Sequence, residues 1–199
     1  MGSYRVQVPG HARRNRMIRR SFLALALSLT AAPASAQEML TLKPIVKAVR
    51  EGDEDKVRAA LFKGENPNQS DFNGQPLLMV ATLAGQLGVA EALLKGGAVV
   101  DAIDRESYTS LIRAAERGDT EITEILLKRN AKPNAQTRQG VSAMIVAARL
   151  GNAEIVRMLL EKKADPNLAD FTGRTALTYA RQAGRSSIEV MLRKAGGRD

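Results

Sequence analysis

The sequence predicts an all-α solenoid of five stacked helix-turn-helix units, joined by β-turn or hairpin fingers. Three observations predict it: a segment repeated at one fixed period, rows of residues that keep this period without a gap, and apolar positions at helical spacing within each copy. Residues 85–101, 118–134 and 151–167 read GQLGVAEALLKGGAVVD, GDTEITEILLKRNAKPN and GNAEIVRMLLEKKADPN. A fixed period of about 20 to 50 residues is typical of solenoids and repeat arrays.

Four rows of residues hold the same position in successive copies. They are Gly52, Gly85, Gly118, Gly151 and Gly184; Ala48, Ala81, Ala114, Ala147 and Ala180; Ile45, Leu78, Leu111, Met144 and Leu177; and Asn68, Asp101, Asn134 and Asn167. Five units therefore fit into the chain, with bounds near 41–70, 71–103, 104–136, 137–169 and 170–199. A single unit of this size cannot bury its own apolar side, so the units must stack.

Each unit should begin with a short helix. Thr109, Ser142 and Thr175 precede apolar runs, and their side-chain oxygens can cap this first helix. Pro44 and Pro76 lie at or beside the same position, where a helix has no partner for a backbone N–H. The glycine row ends the helix, because glycine readily takes the positive φ that such an end requires.

A second helix should follow at once and end at a second special row. Asp53, Asp119 and Asn152 are its predicted N-caps, since acidic and amide side chains are favoured at helix starts. The residues predicted to end this helix are Gly64, Gly97, Asn130, Lys163 and Gly196. The polar stretch that follows, such as residues 132–140, has room only for a turn or hairpin, which forms the finger.

These segments resemble ankyrin repeats. GRTALTYA at 173–180 and GVSAMIVAA at 140–148 are similar to the first helix of that family, and AEIVRMLLEKKADPN at 153–167 is similar to its second helix and finger. The family has the signature T-P-L-H-x-A and a period of about 33 residues, which is also the spacing of the copies in this chain. The resemblance covers residues 37–199 and implies the solenoid fold predicted above.

The chain departs from the family at the signature histidine. The residues at this position are Val46, Met79, Ile112, Ile145 and Thr178. In the family the histidine ties neighbouring units by hydrogen bonds, so we expect an apolar contact in its place here. In the last unit Thr178, Glu189 and Arg193 make polar a face that would otherwise await another repeat, and we expect the array to end there.

Residues 1–36 are predicted to be a signal peptide. Arg19 and Arg20 precede a short apolar stretch at 22–32, and the letters ASA then precede Gln37. This order of charge, apolar run and small residues is typical of an export signal cleaved after Ala36. A lasting membrane anchor needs about 20 apolar residues, so the stretch is too short for one.

Several points about this segment stay open. The general secretory route is preferred, but RRSFL also resembles a twin-arginine signal. Met17 is a plausible true start, because residues 1–16 add little to a signal. A disordered basic tail or a short amphipathic helix is the alternative to export. With export, residues 37–199 act in the periplasm or outside the cell.

Charge and composition argue against nucleic acid and against catalysis. Of 30 Lys and Arg, six lie in residues 1–36, which leaves 24 basic against 21 acidic residues, a net of +3. Beyond His11 the chain has neither His nor Cys, which removes histidine- or cysteine-based nucleophilic catalysis and zinc sites. The acids of residues 51–55 are explained by helix capping. We therefore expect no enzyme activity, no cofactor and no metal.

The resemblance to ankyrin repeats also implies where a partner binds. In that family it usually meets the finger tips and the ends of the first helices. The matching residues are Phe72, Asn73, Gln75, Arg105, Glu106, Tyr108, Arg117, Arg138, Gln139, Arg149, Leu150, Phe171, Thr172 and Arg174. Aromatic and Arg side chains are enriched in binding hot spots. The alternative is that each ring covers its neighbouring finger and that the arginines form a solvated face.

The sequence therefore predicts a monomeric module that binds another protein, without a small-molecule substrate. An acidic patch on the partner would fit the arginines. One rival is an inhibitor or immunity-type protein that blocks a toxin or enzyme. A second rival is a weak basic nucleic-acid binder, whose affinity would fall steeply with salt.

Overall fold

A computed structural model describes residues 43–198, so the predicted signal peptide and its cleavage point lie outside the described residues. Ten α-helices occur in that range, and none of them is both long and apolar enough to cross a membrane. The first helices of the five units are α1 (Pro44–Glu51), α3 (Leu77–Leu83), α5 (Ser110–Arg117), α7 (Ala143–Leu150) and α9 (Ala176–Gln182). The second helices are α2 (Glu54–Phe62), α4 (Leu87–Lys95), α6 (Thr120–Lys128), α8 (Ala153–Glu161) and α10 (Ser186–Lys194).

The helices form two layers, as the repeat predicts. Each first helix packs on the first helix of the next unit, and each second helix packs on the next second helix. The alanine row and the row that begins with Ile45 supply the core between layers, and their members are at most 2% exposed. Small alanines let neighbouring backbones approach, while burial of each large side chain contributes about 1.5–3 kcal/mol. The predicted all-α solenoid is confirmed.

The predicted helix caps are confirmed with one exception. Thr109, Ser142 and Thr175 each accept a hydrogen bond from a backbone N–H in the first turn. Asp53 and Asp119 cap their second helices in the same way. Asn152 does not: its Nδ2 instead donates to the carbonyl oxygen of Ala115 in the preceding unit, at 3.0 Å.

Both rows of helix-ending residues have the left-handed backbone that the sequence predicts. In the glycine row that ends the first helix, φ ranges from 65° to 91°. In the second row Asn130 and Lys163 have φ of 60° and 59°, beside glycines at 85° to 90°. The two non-glycine residues accept a conformation that crowds Cβ against the backbone.

The Asn and Asp row ties each unit to the next. A side-chain oxygen in each unit accepts a hydrogen bond from a finger N–H in the following unit. The four bonds are Val99 N to Asn68 at 2.7 Å, Lys132 N to Asp101 at 2.9 Å, Asp165 N to Asn134 at 2.8 Å and Arg198 N to Asn167 at 2.8 Å. The sequence revealed this row but not its role.

Apolar contacts occupy the place of the family's histidine, as expected. Val46, Met79, Ile112 and Ile145 are at most 3% exposed between the first helices. In the last unit Thr178 is half-buried, and Glu189 pairs with Arg193 at 2.8 Å on the equivalent outward face.

Candidate protein-binding surface

Each finger from unit 2 onward is built around one polar side chain. Asp71, Asp104, Thr137 and Asp170 hold the same position in four successive units. In every case one side-chain oxygen accepts hydrogen bonds from the backbone N–H groups two and four residues later. This closes a tight turn with two residues at its tip. This row keeps the period of the array, so the repeat itself was a signal for it, but its role in the turn was not predicted.

Eight of the predicted contact residues form the four finger tips. All eight are exposed: Phe72 and Asn73, Arg105 and Glu106, Arg138 and Gln139, and Phe171 and Thr172. Neighbouring tips are joined by backbone hydrogen bonds from Arg138 N to the Glu106 oxygen at 3.1 Å and from Phe171 N to the Gln139 oxygen at 3.0 Å. The last three tips are therefore held in a fixed series.

The three predicted aromatic residues differ in their surroundings. Phe171 is 79% exposed and Phe72 is 53% exposed, the latter with the Arg50 guanidinium 4.5 Å from its ring centroid. Tyr108 lies at the finger base rather than at the tip, half-buried beneath Arg113, whose guanidinium carbon is 3.4 Å from the ring centroid. Phe171 also contacts a neighbouring finger, since its Cδ1 lies against Gly140 of unit 4, but most of the side chain stays exposed. Covering a neighbouring group therefore explains Tyr108 fully and Phe171 only in part.

Arg117 is exposed but partly engaged within the fold. Its Nη1 donates to the Leu83 carbonyl of the preceding unit at 2.7 Å, and the guanidinium lies against Gly85. Gln86, Asn152 and Arg185 lie against the matching glycines of their preceding units. At each junction one side chain therefore lies against the glycine that ends the preceding first helix, and Arg117 has this role between units 2 and 3.

In unit 3 the finger is locked to its helix by an arginine. Arg113 donates from Nη2 to Asp104 Oδ2 at 3.1 Å and from Nη1 to Glu116 Oε2 at 2.9 Å. Burial alone would lower the pKa of Arg113, but the bonds to Glu116 and Asp104 outweigh it and the pKa is raised. The cation, both carboxylates and Tyr108 form one cluster within the unit.

In unit 5 a tyrosine replaces that arginine. Tyr179 donates from its hydroxyl to Asp170 Oδ2 at 2.6 Å. Burial would raise the pKa of Asp170, but hydrogen bonds from Thr172, Tyr179 and the backbone of Arg174 lower it to about 2. The side chains of Arg149 and Arg174 lie around the same tyrosine, with guanidinium carbons 5.8 Å and 5.9 Å from its ring centroid. Both arginines were predicted as contact residues, whereas Tyr179 was not.

The remaining two predicted residues have simpler places. Gln75 is half-buried and donates its backbone N–H to Asp71 at 2.9 Å, so it belongs to the turn. Leu150, at the end of α7, is 44% exposed beside Arg149. We call the predicted contact residues together the finger surface.

Charge is unevenly divided between the finger surface and the second helices. The finger surface holds five arginines and one acid, Glu106, which lies 3.8 Å from Arg138. The second helices hold seven basic and eight acidic residues. Each of them has an internal ion pair four residues apart: Glu54 with Arg58, Glu91 with Lys95, Glu124 with Lys128, Arg157 with Glu161, and Glu189 with Arg193. The predicted contact residues therefore have a net charge of +4 (5 − 1), against −1 (7 − 8) for the second helices.

The residues that carry the fold match a known family. Residues 45–137 and 130–198 match the family described as ankyrin repeats (3 copies), which accounts for nearly all of the described chain. The chain belongs to the ankyrin repeat family. Ankyrin repeats generally mediate protein–protein interaction and are typically not enzymatic. Within residues 43–198, no group of three or more His, Cys, Asp and Glu side chains is placed to hold a metal ion.

Curated relatives share part of the ankyrin array. SH3 and multiple ankyrin repeat domains protein 1 of Homo sapiens is 38% identical over 76 residues, and the proteins of that name from Mus musculus and Rattus norvegicus match equally. The match covers 37% of this chain and only 4% of each relative. These matches therefore support the presence of ankyrin repeats, and no other role of the relatives is assigned to this chain.

Proposed function

We propose that this ankyrin array acts in the periplasm or outside the cell by binding another protein through the finger surface, as a monomer and without catalysis. The observation that carries the proposal is the pair of exposed rings, Phe72 and Phe171, on the tips of two fingers. Large aromatic side chains on a rigid, exposed frame are the usual anchors of a protein interface. The turns at these two tips are held by hydrogen bonds to Asp71 and Asp170 and do not depend on the rings.

The rings can be tested against an exposed ring that is not part of the finger surface. Phe62, at the end of α2, is 95% exposed and outside the finger surface. A partner is first identified by cross-linking the processed protein in cells that express it. We expect Phe72→Ala with Phe171→Ala to weaken binding of that partner by about tenfold or more, the effect of losing a hot spot. Phe62→Ala should leave the affinity within about twofold, as is usual away from hot spots.

Two results would count against the proposal. Equal losses in the double variant and in Phe62→Ala would mean that general hydrophobicity, not the finger surface, drives association. A loss of helical circular dichroism in the double variant would mean that the rings hold the fold. Tyr108 is left unchanged in this design because it packs beneath Arg113, so its removal would mix stability with binding.

Export has its own test. The signal read in residues 1–36 should be removed, which leaves Gln37 at the N-terminus of the processed protein. Intact-mass measurement of protein from the periplasm or the medium distinguishes this end from a retained Met1 or Met17. Either retained end would contradict the proposed location, while binding through the finger surface would stand.

A further inference from the structure

Units 4 and 5 bring two arginines to one ring without giving either an acid. Arg149, in α7, and Arg174, after the last finger turn, lie 5.8 Å and 5.9 Å from the ring centroid of Tyr179. Both arginines are exposed, and neither forms an ion pair with a carboxylate among residues 43–198. In unit 3 the equivalent space is filled, because Arg113 already contacts Asp104 and Glu116.

The nearby acid is already satisfied. Asp170 accepts from Thr172, the backbone of Arg174 and the Tyr179 hydroxyl, so both of its oxygens are engaged within the unit. The Tyr179 hydroxyl donates to the same carboxylate and so fixes the ring that lies near both guanidinium groups. Asp170 carries one negative charge and Arg149 and Arg174 carry two positive charges. The cluster around Tyr179 therefore has a net charge of +1.

We propose that Arg149 and Arg174, positioned by Tyr179, form a receptor for an acidic side chain in an extended segment of the protein partner. This inference rests on the proposed function and names the chemistry of its partner. A guanidinium presents N–H groups in a planar fork that matches the two oxygens of a carboxylate. In the complex the partner's acidic side chain pairs with Arg149 and Arg174, as Asp104 and Glu116 pair with Arg113 within unit 3.

The surroundings favour an acidic peptide over nucleic acid. Leu150 follows Arg149 in the chain, Phe171 is at the tip of the turn that precedes Arg174, and both are exposed, so a segment with apolar residues beside its acid meets complementary chemistry. The fingers that carry the arginines also carry the acids Asp71, Asp104, Glu106 and Asp170, which would repel a phosphate backbone. Tight nucleic-acid binding draws on many phosphate contacts rather than on two arginines.

The test uses the full-chain protein and peptides of defined sequence. Random peptides about twelve residues long, which reach about 40 Å when extended, are displayed on phage and selected on the immobilised protein. We expect the selected peptides to be enriched in Asp and Glu next to apolar residues. One selected peptide is then synthesised with a fluorescent label. Its fluorescence anisotropy should show about tenfold weaker binding to the Arg149→Gln, Arg174→Gln protein than to the unchanged protein, as expected when a charge-assisted pair is lost.

A matched variant separates the receptor from net charge. Lys128→Gln with Arg157→Gln removes the same two charges from α6 and α8 and should change the affinity by less than about threefold, as for screened charges outside the contact. The double Arg→Lys variant at 149 and 174 should bind with intermediate affinity, because charge remains and the fork is lost. Circular dichroism confirms that every variant folds.

Five outcomes would overturn the inference. Selected peptides without acidic enrichment would do so, as would equal losses in the two double Gln variants. Tighter Arg-dependent binding of a single-stranded oligonucleotide, with a steep salt dependence, would assign the site to phosphate instead. If the cross-linked partner needs Phe72 and Phe171 but binds the Arg149→Gln, Arg174→Gln protein as before, the receptor fails and the proposed function stands. If neither the rings nor the arginines matter to any bound protein, both fail.

Discussion

Units 3 and 5 place one tyrosine and one arginine at the same two positions in opposite order. Four and nine residues after the finger aspartate, unit 3 has Tyr108 and Arg113, whereas unit 5 has Arg174 and Tyr179. In both units the residue in the helix bonds the second oxygen of the aspartate, at 3.1 Å from Arg113 and 2.6 Å from Tyr179. The order alone decides whether the arginine locks the finger to the helix or remains exposed on the surface.

The difference shows how one repeat can stabilise the array while another is free to bind. Asp104 and Arg113 are only 9% and 20% exposed at their side chains, so their ion pair belongs to the fold. In unit 5 the neutral hydroxyl of Tyr179 takes over that contact, and Arg174 stays at the surface with Arg149. A residue type in a repeat row therefore does not have a single role.

The largest effect should come from removing the unit 3 arginine. Arg113→Ala leaves Asp104 and Glu116 without their shared cation, and a half-buried carboxylate that loses its partner costs about 2–3 kcal/mol. We expect a loss of this size in the free energy of unfolding, measured by chemical denaturation. Arg174→Ala, in the exposed position of unit 5, should cost less than about 0.5 kcal/mol.

Equal losses in the two variants would break the comparison. It would mean that the arginine of unit 5 holds the finger as firmly as that of unit 3. Arg113→Lys sharpens the result, because it keeps the charge but cannot bond both carboxylates as a planar fork, and its loss should lie between those of Ala and the unchanged protein.

The next effect tests the tyrosine that replaces the arginine in unit 5. Tyr179→Phe removes one hydrogen bond to the charged Asp170 and should lower the free energy of unfolding by about 1–2 kcal/mol at neutral pH. The pKa of Asp170 is lowered to about 2 in the folded protein, so its contribution is present above the ordinary Asp value and is lost as the pH falls towards 2. In Tyr179→Phe the pKa should move up, so the two proteins become more alike in acid.

NMR titration of the Asp170 carboxyl group measures this shift directly. An unchanged pKa in Tyr179→Phe would show that the backbone and Thr172 bonds alone hold the charge. Thr137→Ser provides a control in unit 4, where the finger row has no carboxylate, so the difference in stability between this variant and the unchanged protein should not depend on pH over the same range.

The fold could be predicted from the sequence because the repeated rows of residues mark where each helix begins, ends and is buried. Helix starts at Thr109 or Ser142 and helix ends at the glycine rows are local properties, and local rules predict them. The exposed tips were also predicted, from the family's pattern. What could not be predicted were contacts between rows: Asn152 reaching Ala115, Arg113 closing on Asp104, and the ring that joins Arg149 to Arg174.

Those contacts depend on where a long side chain points, which its row does not decide. Asp119 and Asn152 occupy the same position, yet one caps its own helix and the other crosses to the neighbouring unit. An acid is held by its own helix N-terminus, whereas an amide can donate to a carbonyl. Tyr108 was predicted with the finger residues, but it lies at the finger base and its ring packs beneath Arg113. The finger base and the finger tip are only a few residues apart in the chain.

Backbone strain in the finger turns of units 3 and 5 should have a smaller effect on the free energy of unfolding. The sign should differ between the two turns. The fourth residue of the turn is left-handed in both units, but unit 3 has Ser107 at φ 61° and unit 5 has Gly173 at φ 79°. Gly173→Ala should cost about 1 kcal/mol from backbone crowding alone, since no other atom lies within 4 Å of the added Cβ. Ser107→Gly should raise the free energy of unfolding by somewhat less, because glycine also loosens the unfolded chain.

Denaturation of both variants decides whether the two fingers share this geometry. If Ser107→Gly destabilises the protein, the serine side chain contributes a contact that outweighs its strain, and the fingers are not equivalent. Thr172→Gly, at the tip beside Gly173, removes the hydroxyl hydrogen bond to Asp170 without relieving a positive φ and should destabilise the protein.

The smallest effect concerns the ends of the second helices, where units 3, 4 and 5 have Asn130, Lys163 and Gly196. All three are left-handed, with φ of 60°, 59° and 86°. Asparagine tolerates this conformation better than lysine does, so Lys163→Gly should raise the free energy of unfolding by a few tenths to about 1 kcal/mol and Asn130→Gly by less. The control is Lys162→Gly, because Lys162 caps the helix at φ −88° and gains no relief from glycine. Denaturation curves rank the three variants. If Lys162→Gly is the most stable, the left-handed residue has been placed one position too late, and the register of the row with it.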